Sequence, residues 1–299
     1  MAKKSPEKKL QERIAQLEQE ILSREEDLSQ FRSELVTANR RLESLIGQIK
    51  GELATVESLQ RILVKTEFPN ITGLEFSTKF VPSLVSGGDY FDIFEHDDPM
   101  HFGVVAASSS GYATSALFLS VLLKISGRME ARRGSAPHEI VNAIAGELIS
   151  GLGPQDTIDI FYGLVDRRSF DLHYCRLGNV LAVVQEFATG ELTSLPLSGP
   201  AIERNFLPMA ESHKLALSPG DRLAVCTRGV LEAANSAGES FGVERVLKSI
   251  IAGPKRGVHE IRNRILYEVQ KYSGLNEPRR DQTIVVAEVK ERVIKLARP

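Results

Sequence analysis

From Leu10 onward, apolar side chains recur at alternating gaps of four and three residues: Leu10, Ile14, Leu17, Ile21, Leu28, Phe31, Leu35, Ala38, Leu42, Leu45, Ile49, Val56, Leu59 and Leu63. Arg24 and Glu52 are the polar breaks in the stripe, and the residues between its members are mostly Glu, Gln, Arg, Lys and Ser. No proline interrupts Leu10 to Leu63. A narrow seam with a 3.5-residue period predicts a coiled coil, because only a left-handed supercoil keeps such a stripe against a partner helix. At 1.5 Å per residue the rod would be roughly 80 Å long. A helix folded back on its own domain would want a broader apolar face, so the seam points to a homo-oligomer.

The helical pattern stops at TEFPNITG, residues 66–73, where Pro69, Asn70 and Gly73 are turn formers. Beyond it come short β-rich runs: LEFSTKFV, YFDIFE, HFGVVA, IDIFYGLVD, FDLHYC, VLAVVQEF, HKLALS, RLAVCT and TIVVAEV. Helical patterns interrupt them in pairs, at about 112–132 with 137–150 and at about 241–251 with 257–272. Strands that outnumber paired helices predict an α+β layered domain rather than a doubly wound parallel sheet. The expected organisation is a coiled coil over 1–65, a globular domain over 66–292 and a basic tail over 293–299.

Composition narrows the function. Across 299 residues the formal net charge is −2, which gives no electrostatic case for nucleic-acid or membrane binding. The apolar runs fall well short of the roughly 18 residues a membrane span needs, and the N-terminus has no apolar signal core. The two cysteines, Cys175 and Cys226, lie inside apolar runs and read as buried thiols of a reducing compartment. A cytoplasmic protein is expected.

Four stretches carry the candidate chemistry. They are the run ending in GGDYFDIF (87–94), SSSGYATSA (108–116), LSPGDRLAVCTRGVLEAANSAGESFGVERV (217–246) and RRDQTIVVAEV (279–289). In order and spacing they resemble landmarks of the metal-dependent protein serine/threonine phosphatases (PPM, protein phosphatase 2C-like), in the bacterial SpoIIE/RsbU-type branch. The resemblance covers about 59–289. It implies a four-layer α-β-β-α sandwich with two Mn²⁺ or Mg²⁺ ions at one end of the sheets. It also implies a phosphoserine or phosphothreonine protein as substrate, often a small phosphorylated regulatory domain.

Such hydrolysis uses two dications to hold the phosphate and to lower the pKa of a bridging water, and hard cations want carboxylate oxygens. The family has an aspartate at each landmark. Here Asp89 is kept, Ser108 stands at the second position, Arg228 at the third and Arg280 at the fourth, while Asp281 keeps the next place. A guanidinium stays charged near neutral pH. At about 4 Å from a dication, with an effective dielectric near 20, it would be repelled by about 8 kcal/mol. The expectation is a degenerate former metal site at Asp89, Ser108, Arg228 and Arg280, with Asp89 and Asp281 as residual metal candidates and no cofactor.

Two uses for the arginines stand side by side. As structural charges they would lean on Asp89, with Asp92 or Asp281; as a phosphoryl-binding pair, Arg228 and Arg280 would grip phosphate without hydrolysing it. The serine run 108–110 would be a relic. A nucleophilic serine would need a histidine base, and none of His96, His101, His138, His173, His213 or His259 sits in a recognisable motif with it. The chain is therefore expected to be a pseudophosphatase that binds a partner protein. The alternatives are an active Mn²⁺/Mg²⁺-dependent phosphatase with a rearranged site, and a structural coiled-coil cap.

Overall fold

A computed structural model describes residues 6–63, 71, 73–83, 88–96, 98, 100–110, 135–207, 210–274 and 278–290; within the first helix, side chains are described for 13–14, 16–48 and 51. The chain divides into two compact units, Met1–Thr55 and Val56–Pro299. The expected domain boundary at 65/66, the expected helix over 112–132 and the basic tail 293–299 lie outside the described residues.

Helix α1 runs Pro6–Leu63. Its seam residues Ile14, Leu17, Ile21, Leu28, Phe31, Leu35, Leu42 and Leu45 are all exposed, Phe31 by 65%. Arg24, the polar break in the seam, is held by Glu20 one turn earlier at 3.0 Å, an exposed pair of the kind that adds only a few tenths of a kcal/mol.

The second unit is a sandwich of two antiparallel five-stranded sheets. The first has the order β1-β10-β9-β6-β7, built from Leu74–Val81, Gln282–Val289, Arg222–Cys226, Leu181–Gln185 and Leu192–Ser194. The second has the order β2-β3-β4-β5-β8, built from Asp89–Glu95, His101–Ser109, Ile158–Asp166, Asp171–Leu177 and His213–Ala216. Between the sheets, alternate residues interlock: Phe91 and Ile93, Phe102 and Val104, Phe161 and Val165 face Val225, Val285 and Ala287.

The opposite faces are covered as well. Helix α2 (Pro137–Leu148) lays Ile140, Ile144 and Leu148 on Ile158, Ile160 and Tyr162 of the second sheet. Helices α4 (Gly242–Ile251) and α5 (Val258–Ser273) lay Val246, Ile250, Ile261 and Ile265 on Ala224, Cys226 and Val286 of the first. With both faces dry, a strand need not alternate apolar with polar. That is why HFGVVA and TIVVAEV read as continuous apolar runs.

The α+β, four-layer architecture expected from the sequence is the one formed. Cys175 and Cys226 are buried free thiols in different sheets. No described helix is long and apolar enough to cross a membrane. Two small elements had no sequence signal: the three-residue strand β7 and the four-residue helix α3, Arg228–Leu231.

Candidate functional site

The register of the second sheet brings three inward residues onto one row at the end of the sandwich. Asp89 pairs with Ser108, and Ser108 with Asp159. Across from them, the first sheet contributes Thr227 at the end of β9 and Asp281 and Thr283 at the start of β10. Asp89, Ser108, Asp159, Thr227, Asp281 and Thr283 are all buried.

Asp89 is held by hydroxyls. Thr227 Oγ1 donates to its Oδ2 at 2.5 Å and Thr283 Oγ1 donates to the same oxygen at 2.8 Å. Ser108 donates a further side-chain hydrogen bond. Asp281 lies beside it, its Oδ1 accepting the Ser83 N–H at 2.7 Å and its Oδ2 accepting the Asp89 N–H at 3.3 Å. Burial first, and the neighbouring Asp281 second, push Asp89 up to about 8 from an ordinary 3.8. Burial raises Asp281 to about 6, against the pull of the backbone N–H groups it accepts. A proton on Asp89 near neutral pH relieves the like-charge contact.

The third acid was not foreseen from the sequence. Arg228 turns its guanidinium onto Asp159, with Nη2 donating to Oδ1 at 2.8 Å and Nε 2.6 Å from Oδ2, while Nη1 donates to Thr157 Oγ1 at 2.9 Å. The Asp159 side chain is wholly buried. Burial raises its pKa, and the positive charge of Arg228 offsets part of that. The neighbouring turn is shaped around this carboxylate: Asn179 N–H donates to Oδ1 at 2.8 Å, and a Cβ on Gly178, whose φ is +70°, would lie 2.1 Å from the same oxygen. The glycine of Leu177-Gly178-Asn179 is therefore required twice, for its left-handed backbone and for the approach of Asp159.

The cationic residues do not lean on Asp89 as the sequence suggested. Arg228 is committed to Asp159 and Thr157. Arg280 turns aside to Glu232, its Nε 2.9 Å from Oε2, and Glu232 Oε1 lies 3.8 Å from Arg228 Nε. The result is a ladder Asp159–Arg228–Glu232–Arg280 of alternating sign. Asp92, offered as another partner, sits on the outer face of β2 and accepts the Tyr90 hydroxyl at 3.2 Å. Helix α3 carries Arg228 into place, and Gly229 permits it: a Cβ there would be 2.0 Å from the Asp281 carbonyl oxygen.

The serine run does structural work at this end. Ser110 Oγ accepts the Thr157 N–H at 2.7 Å, steadying the residue that receives Arg228. Ser109 is buried, and its hydroxyl has no hydrogen-bond partner among the described residues. Gly111, Tyr112 and Ala113 lie outside the described residues. No histidine approaches this turn among the described contacts: His96 meets Tyr162, His101 meets Asp98, His138 meets Ser212 and His259 meets Ser77. An isolated acid at an inward position of an otherwise apolar strand, TIDIFYG, was the one signal that could have found Asp159.

Two outcomes are expected. Arg228→Ala strands the Asp159 charge and destabilises the domain by about 3–5 kcal/mol, with much of the loss recovered by adding Asp159→Asn; urea unfolding of the single and double variants measures both. The second concerns pH. The folded-state pKa values of Asp89 and Asp281 lie above the unfolded value, so the folded chain binds these protons more tightly. The stability this confers is complete below about pH 4 and is lost as pH rises through about 6 and then about 8. Asp89→Asn should flatten the fall in unfolding midpoint between pH 6 and 8, and an unchanged slope would show that Asp89 does not carry it.

The comparisons with known proteins agree with this fold. The family described as Stage II sporulation protein E (SpoIIE) matches residues 98–290. The SiaA-PP2C domain of Pseudomonas aeruginosa superposes with a TM-score of 0.65 at 18% identity, over 83% of this chain and 98% of that one. The RsbU and RsbW domains of Rv1364c from Mycobacterium tuberculosis give 0.62 at 16% identity, over 76% and 63%. The phosphatase and partial regulatory domain of SpoIIE from Bacillus subtilis gives 0.59 at 15%, over 72% and 63%. At these identities the likeness is one of fold. No curated protein matches the chain. The chain belongs to the SpoIIE family and carries its protein phosphatase 2C-type domain, preceded by a long helix.

Proposed function

We propose that this domain is a pseudophosphatase, a regulatory or scaffolding member of its family that works by binding protein partners rather than by hydrolysing phosphate. The observation that carries this reading is the Arg228 guanidinium seated on Asp159, between sheet ends where the family resemblance places two divalent cations.

The donors present do not fit such a pair of ions. Mg²⁺ takes about six oxygen ligands, usually with carboxylates among them. Asp159 already faces a cation; one oxygen of Asp89 is taken by two hydroxyls; both oxygens of Asp281 accept backbone N–H groups. Among the described residues, no group of three or more His, Cys, Asp or Glu side chains gathers where a metal could sit. An incoming dication would also have to displace or face Arg228.

A phosphoryl-binding role for Arg228 with Arg280 fits less well. Two guanidinium nitrogens of Arg228 donate hydrogen bonds, to Thr157 and Asp159, its Nε lies against the same carboxylate, and Arg280 points to Glu232. The active alternative keeps one observation in its favour, the side-by-side placement of Asp89 and Asp281.

The exposed seam of α1 supports a coiled-coil homo-oligomer, since a stripe of that length is stable only against another helix. The buried free thiols suit a reducing, cytoplasmic setting. A protein partner is the natural ligand of such a scaffold, and the Rv1364c chain, with RsbU and RsbW domains together, shows the fold in that company.

Assayed with Mn²⁺ against p-nitrophenyl phosphate and a phosphoserine peptide, the domain should give no turnover above the blank. Metal-dependent turnover that disappears in Asp89→Asn would establish the active alternative instead. Light scattering should give the full chain at least twice the monomer mass and residues 66–299 the monomer mass; a monomeric full chain would remove the oligomer.

A further inference from the structure

Helices α4 and α5 carry a feature that the sandwich and its altered site leave unused. Their outward ridges enclose an open groove of about 570 Å³. From α4 it is lined by Arg245 and Lys248, and from α5 by Arg264, Glu268, Lys271 and Tyr272. The spacings i and i+3 on α4, and i, i+4 and i+7 on α5, put each set on one helix face. Among the described residues that line it, four cations stand against Glu268, a net charge of +3 on a protein whose total is −2.

The groove is organised in advance. Arg245 Nη1 donates to the carbonyls of Ser240 at 3.1 Å and Phe241 at 3.0 Å, and its guanidinium carbon lies 4.4 Å over the Tyr272 ring. Tyr272 is braced edge-on by Phe241 at 5.5 Å, and its hydroxyl accepts Asn235 Nδ2 at 3.1 Å. Lys248 and Lys271 are exposed and enter no ion pair among the described residues. Arg264 Nε is buried with no acceptor among the described residues. A preorganised cationic surface with unspent donors is short of anionic acceptors.

We propose that this groove docks an acidic amphipathic helix of a partner protein. The shape argues for a helix, because a channel between two helix ridges accepts the ridge of a third. The +3 charge of its described lining argues for carboxylates on that helix. The aromatic floor of Phe241 and Tyr272 argues for an apolar stripe between them. This inference rests on the scaffold reading and gives it a surface and a partner chemistry. The two can fail separately: metal-dependent turnover would end the pseudophosphatase reading and leave the groove standing.

The test titrates the full chain into a fluorescein-labelled helical peptide of Glu and Leu at amphipathic spacing and reads anisotropy. The comparisons are a Lys-for-Glu peptide and phosphatidylserine vesicles. Saturable binding is expected for the Glu peptide and none for the Lys peptide. The affinity should fall by about tenfold or more when salt rises from about 0.05 M to about 0.5 M, as the screening length shortens. The charge reversals Lys248→Glu and Lys271→Glu together should weaken binding by a similar factor while the circular dichroism spectrum stays unchanged. Should that pair disturb folding, Lys248→Gln with Lys271→Gln is expected to weaken binding in the same direction. No binding of the Glu peptide, equal binding by the folded variants, or binding of vesicles without binding of the peptide would each overturn the proposal.

Discussion

Three carboxylates, Asp89, Asp159 and Asp281, are buried where the two sheets of this protein end, and they cannot all be charged there unaided. The hydrogen bonds and ion pair of those three acids answer this one constraint. Asp89 has hydroxyl donors and a raised pKa, Asp281 has backbone N–H groups, and Asp159 has a guanidinium. Burial without such partners costs several kcal/mol per charge, so the sheet ends close only because each acid has its own form of compensation. A pair of dications would be a different solution to the same problem, and on the pseudophosphatase reading proposed above it is the one that Arg228 replaces.

The choice of arginine has mechanical consequences. Its planar fork meets both oxygens of Asp159 and still reaches Thr157, which a lysine could not do. Thr157 is itself tied to Ser110, and Asp159 to the turn at Gly178 and Asn179. The ion pair therefore joins helix α3 on one sheet to strand β4 on the other. Glu232 then couples that pair to Arg280 at the surface, where solvent screens the charges and the last rung adds little. The inner rung holds the structure, and the outer rung mostly sets its charge.

Much of this was legible in the sequence, for physical reasons that differ from place to place. The period of the α1 stripe, the apolar runs and the turn residues are local signals, and they yielded the long helix and the layered α+β domain. Asp89, Ser108, Arg228, Arg280 and Asp281 could be picked out only through the resemblance to the phosphatase landmarks, which marks those positions. Their partners could not. Asp159 and Arg228 are 69 residues apart and meet only through sheet register and the short helix α3. Arg280 finds Glu232 rather than Asp89 because the chain before β10 turns that side chain outward, which no spacing rule reports. Strand β7 is too short to leave a pattern.

The most direct measurement is a manganese titration of the full chain followed by electron paramagnetic resonance, which sees free hydrated Mn²⁺ and loses the signal when the ion is bound. With Arg228 on Asp159, the free-ion signal should rise in proportion to added metal from the first addition. Loss of the first two equivalents of Mn²⁺ signal, with that loss abolished in Asp89→Asn, would mean that a two-metal centre assembles despite the arginine.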